Sequence, residues 1–419
     1  MNLADVLNLF TTIENLLREL LLGWNLTPAA VNVIVDAIRV VPTGSFGLLL
    51  VIFLIWLERK LAARFQDRLG PNRVGPYGLL QTFADVGKLV TKEDTTPAGA
   101  DKVVFNIAPP LAVMSVVMIW AVLPFAARAV GVSLNVGVVY VVAVASLGTL
   151  AIMLAGMSSN NKYALLGAFR TVAQLVSYEA PMIISLLVPV MLAGSMNMDR
   201  IVEAQSRIWF FVLAPIPFLI FFISSIAEVG RTPFDLLEAE SEIVAGFHIE
   251  YSGMKFAMFF AAEFLHAFTI SALVAILFFG GWQGPGAENN QLLGVAYFMG
   301  KSFFFYFIVV WVRTTLPRIR IDHMLNVNWK LLTPLSLAAV VVIAVADKLT
   351  PASGTPEAAL ARAGTLLLAN LALGLTTLWV LRAASARIRA KVEGGTIAVM
   401  AERPATDLGQ HMPVETRGG

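Results

Sequence analysis

The stretch FVLAPIPFLIFFISSIA, residues 211–227, decides the class of this protein. It is an uncharged apolar run, close to the 20 residues that a helix needs to cross about 30 Å of hydrocarbon. Similar runs recur along the 419-residue chain, which is 58% hydrophobic and only 14% charged. A soluble domain carries about 25% charged residues. The composition therefore predicts an all-α polytopic membrane protein.

The apolar runs predict about nine membrane spans. They are residues 43–58, 105–126, 135–157, 171–194, 208–228, 256–280, 297–312, 331–347 and 358–381. Residues 3–22 place apolar side chains on one helical face and are interrupted by charge, which predicts an amphipathic surface helix. A short first span is the alternative. The expected organisation is a surface segment 1–39, a core of eight spans 40–347, an additional span with a basic stretch 348–394, and a disordered tail 395–419.

The distribution of basic residues predicts the orientation. Of the 30 lysines and arginines, 22 lie in alternate connecting segments, namely 59–102, 158–170, 228–257, 313–330 and 382–419. The positive-inside rule makes that side cytoplasmic. With nine spans, the N-terminus is then outside and the C-terminus is cytoplasmic. Within the first of these segments, residues 79–92 are expected to form an amphipathic surface helix.

The chain has no cysteine and four histidines without paired ligand spacing. Cysteine-held iron–sulfur clusters and thiolate zinc sites are thereby excluded from this chain, and no metal site is expected.

An acidic segment directly follows the apolar run 211–227. Its carboxylates are Glu228, Asp235, Glu238, Glu240 and Glu242, opposed by Arg231 alone. Thr232 and Pro233 are typical of a helix N-terminus, with Asp235 in the first turn. The segment is either a solvated cytoplasmic loop or a cluster that holds and passes protons, because desolvation and like charges raise carboxylate pKa values.

Two acids lie inside predicted spans. Glu179 and Glu263 each follow several apolar residues, and an ionisable group within a membrane helix indicates function unless it makes a structural hydrogen bond between helices. His266, one turn after Glu263, is expected to be a packing residue. The acids lie in the cytoplasmic parts of their spans, so a proton path would enter from inside, stop near mid-membrane and continue in a partner.

Four segments resemble a family of membrane subunits of respiratory complex I, the family that includes mitochondrial NADH dehydrogenase subunit 1. They are ERKLAARFQDRLGPNRVGPYGLLQTFADVGKLVTKE (58–93), NNKYALLGAFRTVAQLVSYE (160–179), AEVGRTPFDLLEAESEIVAGFHIEYSGMKFAMFFAAE (227–263) and WVRTTLPRIRIDHMLNVNWK (311–330). The resemblance runs from about residue 43 to 347. The span 358–381 departs from the eight spans usual in this family and points to a bacterial source, with a multi-pass protein of the plasma (inner) membrane.

The resemblance implies a membrane subunit of a proton-translocating NADH:quinone oxidoreductase. Quinone is the substrate, and FMN and iron–sulfur clusters belong only to partner subunits. By similarity, Glu58, Arg59, Asp85, Arg231 and Asp235 border the quinone tunnel. Glu179, Glu228, Glu238, Glu240 and Glu263 form the acidic coupling path. The implied partners are the peripheral redox subunits at the cytoplasmic loops, the small and antiporter-like membrane subunits laterally, and the lipid bilayer, without nucleic acid.

Three alternatives remain open from the sequence. The first is the homologous membrane subunit of an energy-converting hydrogenase or of a dehydrogenase with another electron donor. The second is an autonomous proton or cation transporter, against which the absence of internal repeats and of acids across whole spans argues. The third is a structural anchor for peripheral subunits, in which the buried carboxylates should tolerate removal.

Overall fold

The computed structural model describes residues 9–24, 27–127, 129–235, 246–350 and 356–401. In these ranges the chain forms helices that we number α1 to α14. In chain order they are α1 (Leu9–Leu22), α2 (Pro28–Phe65), α3 (Gln81–Thr91), α4 (Lys102–Trp120), α5 (Gly137–Ser158), α6 (Lys162–Ala193), α7 (Met198–Ala204), α8 (Phe210–Leu213), α9 (Pro215–Val229), α10 (Gly253–Phe278), α11 (Gln291–Thr315), α12 (Ile321–Val327), α13 (Thr333–Leu349) and α14 (Pro356–Ala401).

Seven helical segments in the described ranges are long and apolar enough to cross a bilayer. They are α4, α5, α6, α10, α11, the α12–α13 segment Ile321–Leu349, and Leu360–Ala383 of α14. The two other predicted spans, 43–58 and 208–228, fall on α2 and on α8 with α9. The predicted all-α polytopic membrane fold is therefore confirmed. Each predicted span overlaps helical residues, with 208–228 divided between α8 and α9, and the number of nine spans stays a prediction.

The N-terminal part of the chain forms two helices. Helix α1 covers the described part of the predicted surface helix, and residues 3–8 lie outside the described ranges. Helix α2 begins where the Thr27 side chain accepts a hydrogen bond from the Ala30 amide and Pro28 takes the first helical position, both typical N-terminal features. Its 38 residues correspond to about 57 Å. The predicted domain boundary at residue 39 falls inside this helix, and the domain division itself stays a prediction.

The core is built around α10, the most buried of the seven spans. It packs against α2, α4, α9 and α11. The fully buried Trp120 of α4 donates its indole hydrogen bond to the Thr269 hydroxyl of α10 over 2.7 Å. Such interhelical hydrogen bonds join spans where lipid offers the polar groups no partner. Helix α10 thus fixes the helices that carry the polar residues described below.

Helices α5 and α6 approach each other closely at Gly156. A Cβ at this position would lie 2.2 Å from the Cβ of Ala168 and 2.9 Å from the Ala164 carbonyl oxygen. Small residues at a membrane helix crossing allow two backbones to approach in this way. This contact sets the position of α6, which carries Gln174 and Glu179.

The predicted single span 208–228 is interrupted. Helix α8 ends at Leu213, Ala214 leaves helical geometry with φ −139° and ψ 62°, and α9 begins at Pro215. A residue before proline is pushed away from helical geometry, and proline lacks the amide hydrogen that continues a helix. Pro215 and Pro217 therefore divide an apolar run that hydropathy alone predicts as one helix.

The additional C-terminal span lies on α14, which packs against α13, α8 and α9. Its leucines at 360, 368, 371 and 375 are exposed, as expected for a helix that faces lipid. The helix continues to Ala401, past residue 395, where the sequence predicts the tail to begin. Residues 402–419 lie outside the described ranges.

Candidate functional site: a buried charge network

Glu58, near the end of α2, forms a buried cluster with three residues from distant parts of the chain. Its Oε1 atom is paired with Arg313 of α11 and lies 3.4 Å from Nη1 of Arg231. Its Oε2 atom accepts a hydrogen bond of 2.9 Å from the hydroxyl of Tyr306. Glu58 is 5% exposed. Both oxygens of this carboxylate therefore have partners, as a buried carboxylate requires.

Arg231 connects Glu58 to a second carboxylate. The Nη1 atom that faces Glu58 also lies 3.2 Å from Oε1 of Glu263 on α10. The guanidinium stands over the ring of Phe264, with 4.6 Å from its central carbon to the ring centroid, which adds a cation–π attraction. Arg231 is only 3% exposed. One buried cation is thus shared by two carboxylates from different helices.

The local backbone explains how Arg231 reaches this position. Helix α9 ends at Val229 and is followed by Gly230, whose left-handed φ of 70° is typical of a glycine helix terminus. The amide nitrogen of the Gln174 side chain donates to the carbonyl oxygens of Ala227 and Phe234, both over 2.7 Å. Gln174 therefore fixes both sides of the turn that directs Arg231 inward.

The predicted helix start at Thr232 and Pro233 is wrong. Residues 231–234 form a turn in which the Phe234 amide donates to the Arg231 carbonyl. The Ile319 amide donates to the Pro233 carbonyl over 2.9 Å, so this turn pairs with the segment before α12. The reason is tertiary, because groups from distant parts of the chain bind the backbone of the turn.

Asp235 lies at the end of this turn. Its Oδ2 atom is 3.1 Å from Nη2 of Arg318, and both side chains are partly exposed. Glu238 and Glu240, predicted for the coupling path, lie outside the described residues, as does Glu242. The described part of the acidic segment thus places Asp235 near the surface and both Glu228 and Arg231 in the interior.

Glu228, three residues before Arg231, belongs to a second polar group. Its Oε1 atom is 3.9 Å from Nε2 of His266, and it interacts electrostatically with Glu179 of α6. The buried Oε2 atom of Glu228 and Nε2 of His266 have no hydrogen-bond partner among the described protein groups. The distance of 3.9 Å is too long for a direct hydrogen bond.

A cavity of about 90 Å³ adjoins these groups. Glu228, Glu263, His266 and His248 line it, together with mostly apolar side chains of α4, α5 and α10. A buried water needs roughly 10–15 Å³ and two or more polar partners. The cavity therefore has the volume and the polar groups to hold several waters, which can bridge Glu228, His266 and Glu263.

Two residues of the segment before α10, Phe247 and His248, line this cavity. Burial lowers the pKa of the His248 imidazole, which favours its neutral form. Tyr251 stacks on Phe105 with ring centroids 4.0 Å apart. Lys255 pairs with Asp94 over 2.8 Å. These contacts hold the beginning of α10 against α4 and the first loop.

Arg59 and Asp85 form a separate pair on the first loop. Nη1 of Arg59 lies 2.5 Å from Oδ2 of Asp85, and the other carboxylate oxygen, Oδ1, faces Gln81 and Lys88. Burial opposes ionisation of Asp85, but the hydrogen bond and charge of Arg59 outweigh it, so the pKa of the carboxyl lies below its usual value. The predicted amphipathic helix at 79–92 is α3, which carries Asp85 and packs on α2 and α10.

The structure therefore divides the predicted residues that it describes into four groups. Glu58, Arg231 and Glu263 are in contact, and Glu179 and Glu228 form the second group. Arg59 with Asp85 forms the third, and Asp235 with Arg318 forms the fourth.

Some residues of the network were not predicted from the sequence. These are Tyr306, Arg313 and Arg318, and His266 was predicted only to pack. Tyr306 and Arg313 are seven residues apart and so lie on one helical face. That spacing, with a tyrosine and an arginine near the end of an apolar helix, was the available signal.

The comparisons with known proteins agree with the sequence resemblance. A family model described as NADH dehydrogenase matches residues 38–344. The H subunit of NADH-quinone oxidoreductase from Dehalococcoides mccartyi (strain CBDB1) is 50% identical over 307 residues, which cover 73% of this chain and 85% of that protein. The H subunit numbered 1 of Geobacter metallireducens is 45% identical over 326 residues, with 76% of this chain and 98% of that protein covered. The H subunit of Geobacillus kaustophilus is 48% identical over 292 residues, with coverages of 70% and 87%. The chain therefore belongs to the family of H subunits of NADH-quinone oxidoreductase, which are membrane subunits of respiratory complex I.

Proposed function

We propose that this chain forms part of the quinone tunnel and connects it to an acidic proton path. The observation that carries the proposal is the sharing of Arg231 by Glu58 and Glu263, at 3.4 and 3.2 Å from one guanidinium nitrogen. The arrangement links a carboxylate near the end of α2, next to the first loop, with a carboxylate inside α10.

The physical basis of coupling is competition between two carboxylates for one cation. A buried charge is stabilised only by its partners, and breaking a buried pair costs about 3–5 kcal/mol. When the negative charge near Glu58 increases, Arg231 is drawn towards Glu58 and its pairing with Glu263 weakens. When that negative charge decreases, the pairing of Arg231 with Glu263 strengthens. Reduction of quinone takes up protons, so it supplies such a change of charge.

The proposed tunnel residues are Glu58 and Arg231 of the charge network, together with Arg59, Asp85 and Asp235 from the two separate pairs. The pairs Arg59–Asp85 and Asp235–Arg318 are partly exposed and tie the first loop and the turn after α9 to their neighbours. We propose that they border the tunnel, where polar groups orient the quinone ring. The substrate class is a quinone of the ubiquinone or menaquinone type.

The proton side comprises Glu263, Glu228 and Glu179. The cavity next to Glu228 and Glu263 supports a water-mediated transfer between them, since waters bridge buried polar groups at little energetic cost. His266 lines the same cavity and adds a group that can accept and release a proton. Glu238 and Glu240 are proposed members of this path from the resemblance alone.

The remaining assignments follow from membership of complex I. We propose that the peripheral redox subunits, which carry FMN and iron–sulfur clusters, contact the cytoplasmic loops, and that the other membrane subunits pack laterally. The N-terminus is proposed to lie outside and the C-terminus in the cytoplasm of a bacterial cell. The relatives' names favour an NADH-dependent complex over the hydrogenase-type alternative.

The test uses the whole complex, purified through a tag on this chain. Arg231→Gln removes the shared cation, and Glu203→Gln on the exposed surface of α7 is the matched control for loss of a charge. We expect NADH:quinone reductase activity to fall at least tenfold in Arg231→Gln, while NADH oxidation by a water-soluble artificial acceptor persists. Unchanged quinone reduction in an assembled Arg231→Gln complex would exclude the proposed role of the shared cation.

A further inference from the structure

The helix break between α8 and α9 leaves a backbone carbonyl without its ordinary partner. In a continuous helix the Leu213 carbonyl accepts from the amide four residues later, but that residue is Pro217, which has no amide hydrogen. A carbonyl left unpaired within a bilayer is strongly unfavourable, because hydrocarbon supplies no donor. The break therefore requires a hydrogen-bond donor from another part of the protein.

Asn370 of α14 supplies that donor. Its Nδ2 atom donates to the Leu213 carbonyl over 2.9 Å and to the Leu366 carbonyl of its own helix over 2.9 Å. Asn370 is 1% exposed, although the leucines around it face outward. A buried amide in an otherwise lipid-facing helix is placed for a specific partner, because hydrocarbon offers it none.

Two further contacts fix α14 at this position. Arg362 pairs with Asp347 at the end of α13 over 2.5 Å, which sets the rotation of α14 at its beginning. A Cβ on Gly374 would lie 3.4 Å from Cδ1 of Ile216, so the backbone of α14 approaches the first turn of α9.

The beginning of α8 is held separately from its end. Oε1 of Gln205 accepts hydrogen bonds from the amides of Phe210 and Gly280. The Leu213 carbonyl is where Asn370 of α14 makes its hydrogen bond to the interrupted helix, so Asn370 can be tested without disturbing the other end of α8.

We infer that α14 is a brace that positions the interrupted α8–α9 helix, with Asn370 as its key positioning residue. Helix α9 begins at the braced break and carries Glu228 one residue before its end, so its axial position sets where Glu228 and the following Arg231 lie. Helix α14 lies outside residues 38–344, the segment that the family model matches. The inference concerns helix position and does not depend on the proposed quinone and proton roles.

The experiment measures opening of α9 by thiol labelling in the whole complex. The chain has no cysteine, so Ser225→Cys places a single, fully buried reporter on α9 of this chain. Asn370→Leu removes the donor to Leu213. Thr376→Val is the matched control, because the exposed Thr376 hydroxyl donates only to Leu373 of its own helix.

We expect Asn370→Leu to increase the labelling rate by about threefold to twentyfold, which corresponds to the strength of interhelical hydrogen bonds in membranes. Thr376→Val should label at the parent rate, and Asn370→Gln, which keeps an amide donor, should lie between them. In a background with Pro215→Ala and Pro217→Ala, α8 and α9 can join into one helix, so Asn370→Leu should have a smaller effect.

Equal labelling of Asn370→Leu and Thr376→Val would overturn the brace. If Asn370→Leu lowers the amount of this chain in the membrane, that amount replaces the labelling rate as the measurement. It is then compared between the chain with its prolines and the chain with Pro215→Ala and Pro217→Ala. Failure of the proline-free background to restore that level would likewise reject the assignment, because the Leu213 carbonyl lacks a donor from its own helix only while Pro217 is present.

Discussion

Replacement of Tyr306 by phenylalanine removes one oxygen atom from the centre of the charge network. The ring stays, including its packing against Phe268 at 5.9 Å between centroids. The lost interaction is the 2.9 Å hydrogen bond to Oε2 of Glu58. A hydrogen bond to a charged group contributes about 1.5–3 kcal/mol. Arg313 and Arg231 still hold the other oxygen, so the effect reports the contribution of the phenol alone.

This free energy corresponds to roughly a 10- to 150-fold change in an equilibrium constant. The equilibrium concerned is between Glu58 hydrogen-bonded to the Tyr306 hydroxyl and Glu58 turned away from it. If the phenol hydrogen bond stabilises the transition state of quinone reduction more than it stabilises the free enzyme, its loss lowers kcat/KM for quinone by about tenfold or more in Tyr306→Phe. Oxidation of NADH by a water-soluble artificial acceptor should remain, because it does not involve this chain. The assay is steady-state kinetics of the purified complex with a short-chain quinone.

Tyr297→Phe is the matched control on the same helix. Its hydroxyl donates to the Pro285 carbonyl over 3.3 Å, outside the charge network. We expect Tyr297→Phe to retain parent kinetics. A kcat/KM for Tyr306→Phe within twofold of the parent, in a fully assembled complex, would refute the link between the Glu58 hydrogen bond and turnover.

Three further predictions concern the other groups. Glu179→Gln should assemble normally but lose coupled quinone reductase activity, measured as NADH-driven proton uptake in vesicles; normal pumping would remove Glu179 from the path. Asp85, whose pKa is lowered by Arg59, should stabilise the protein above pH about 4 and lose that contribution as the pH falls through its lowered pKa. The melting temperature of the parent should therefore fall more steeply on acidification than that of Asp85→Asn. Parallel curves of melting temperature against pH would contradict the pairing. Gly156→Ala should lower the amount of folded chain because its new Cβ meets Ala168. Ala168→Gly should restore only part of it, because the Ala164 carbonyl oxygen still lies 2.9 Å from that Cβ. No loss in the single variant would show that α5 and α6 do not cross so closely.

Much of the helical fold could be predicted from the sequence, since the lipid-spanning length restricts each helix to an apolar run. Helices α5 and α10 follow from such runs within three residues at each end, whereas α4 ends at Trp120, six residues before the end of the predicted run 105–126. The break between α8 and α9 can also be predicted from the sequence, because Pro215 and Pro217 both lack an amide hydrogen. Hydropathy alone predicts α8 and α9 as one helix, because it does not depend on whether a residue has a backbone amide hydrogen.

The charge network could be predicted only in part. Glu263 and Glu179 were identifiable as acids within apolar helices, but their partners come from elsewhere in the chain. Glu58 and Arg231 are far apart in sequence, and neither spacing nor periodicity brings them together. The turn at residues 231–234 shows the same limit, because its hydrogen bonds go to Gln174 and to the segment before α12.

The shared guanidinium also restricts how this sequence can vary over evolution. A change at Glu58 or Glu263 alone alters the charge balance around a cation that is buried away from water. A change at Arg231 affects both acids together. Single substitutions at any of the three positions should therefore be selected against, and viable descendants should alter them as a set. A substitution at one of the three positions should persist only together with substitutions at the other two.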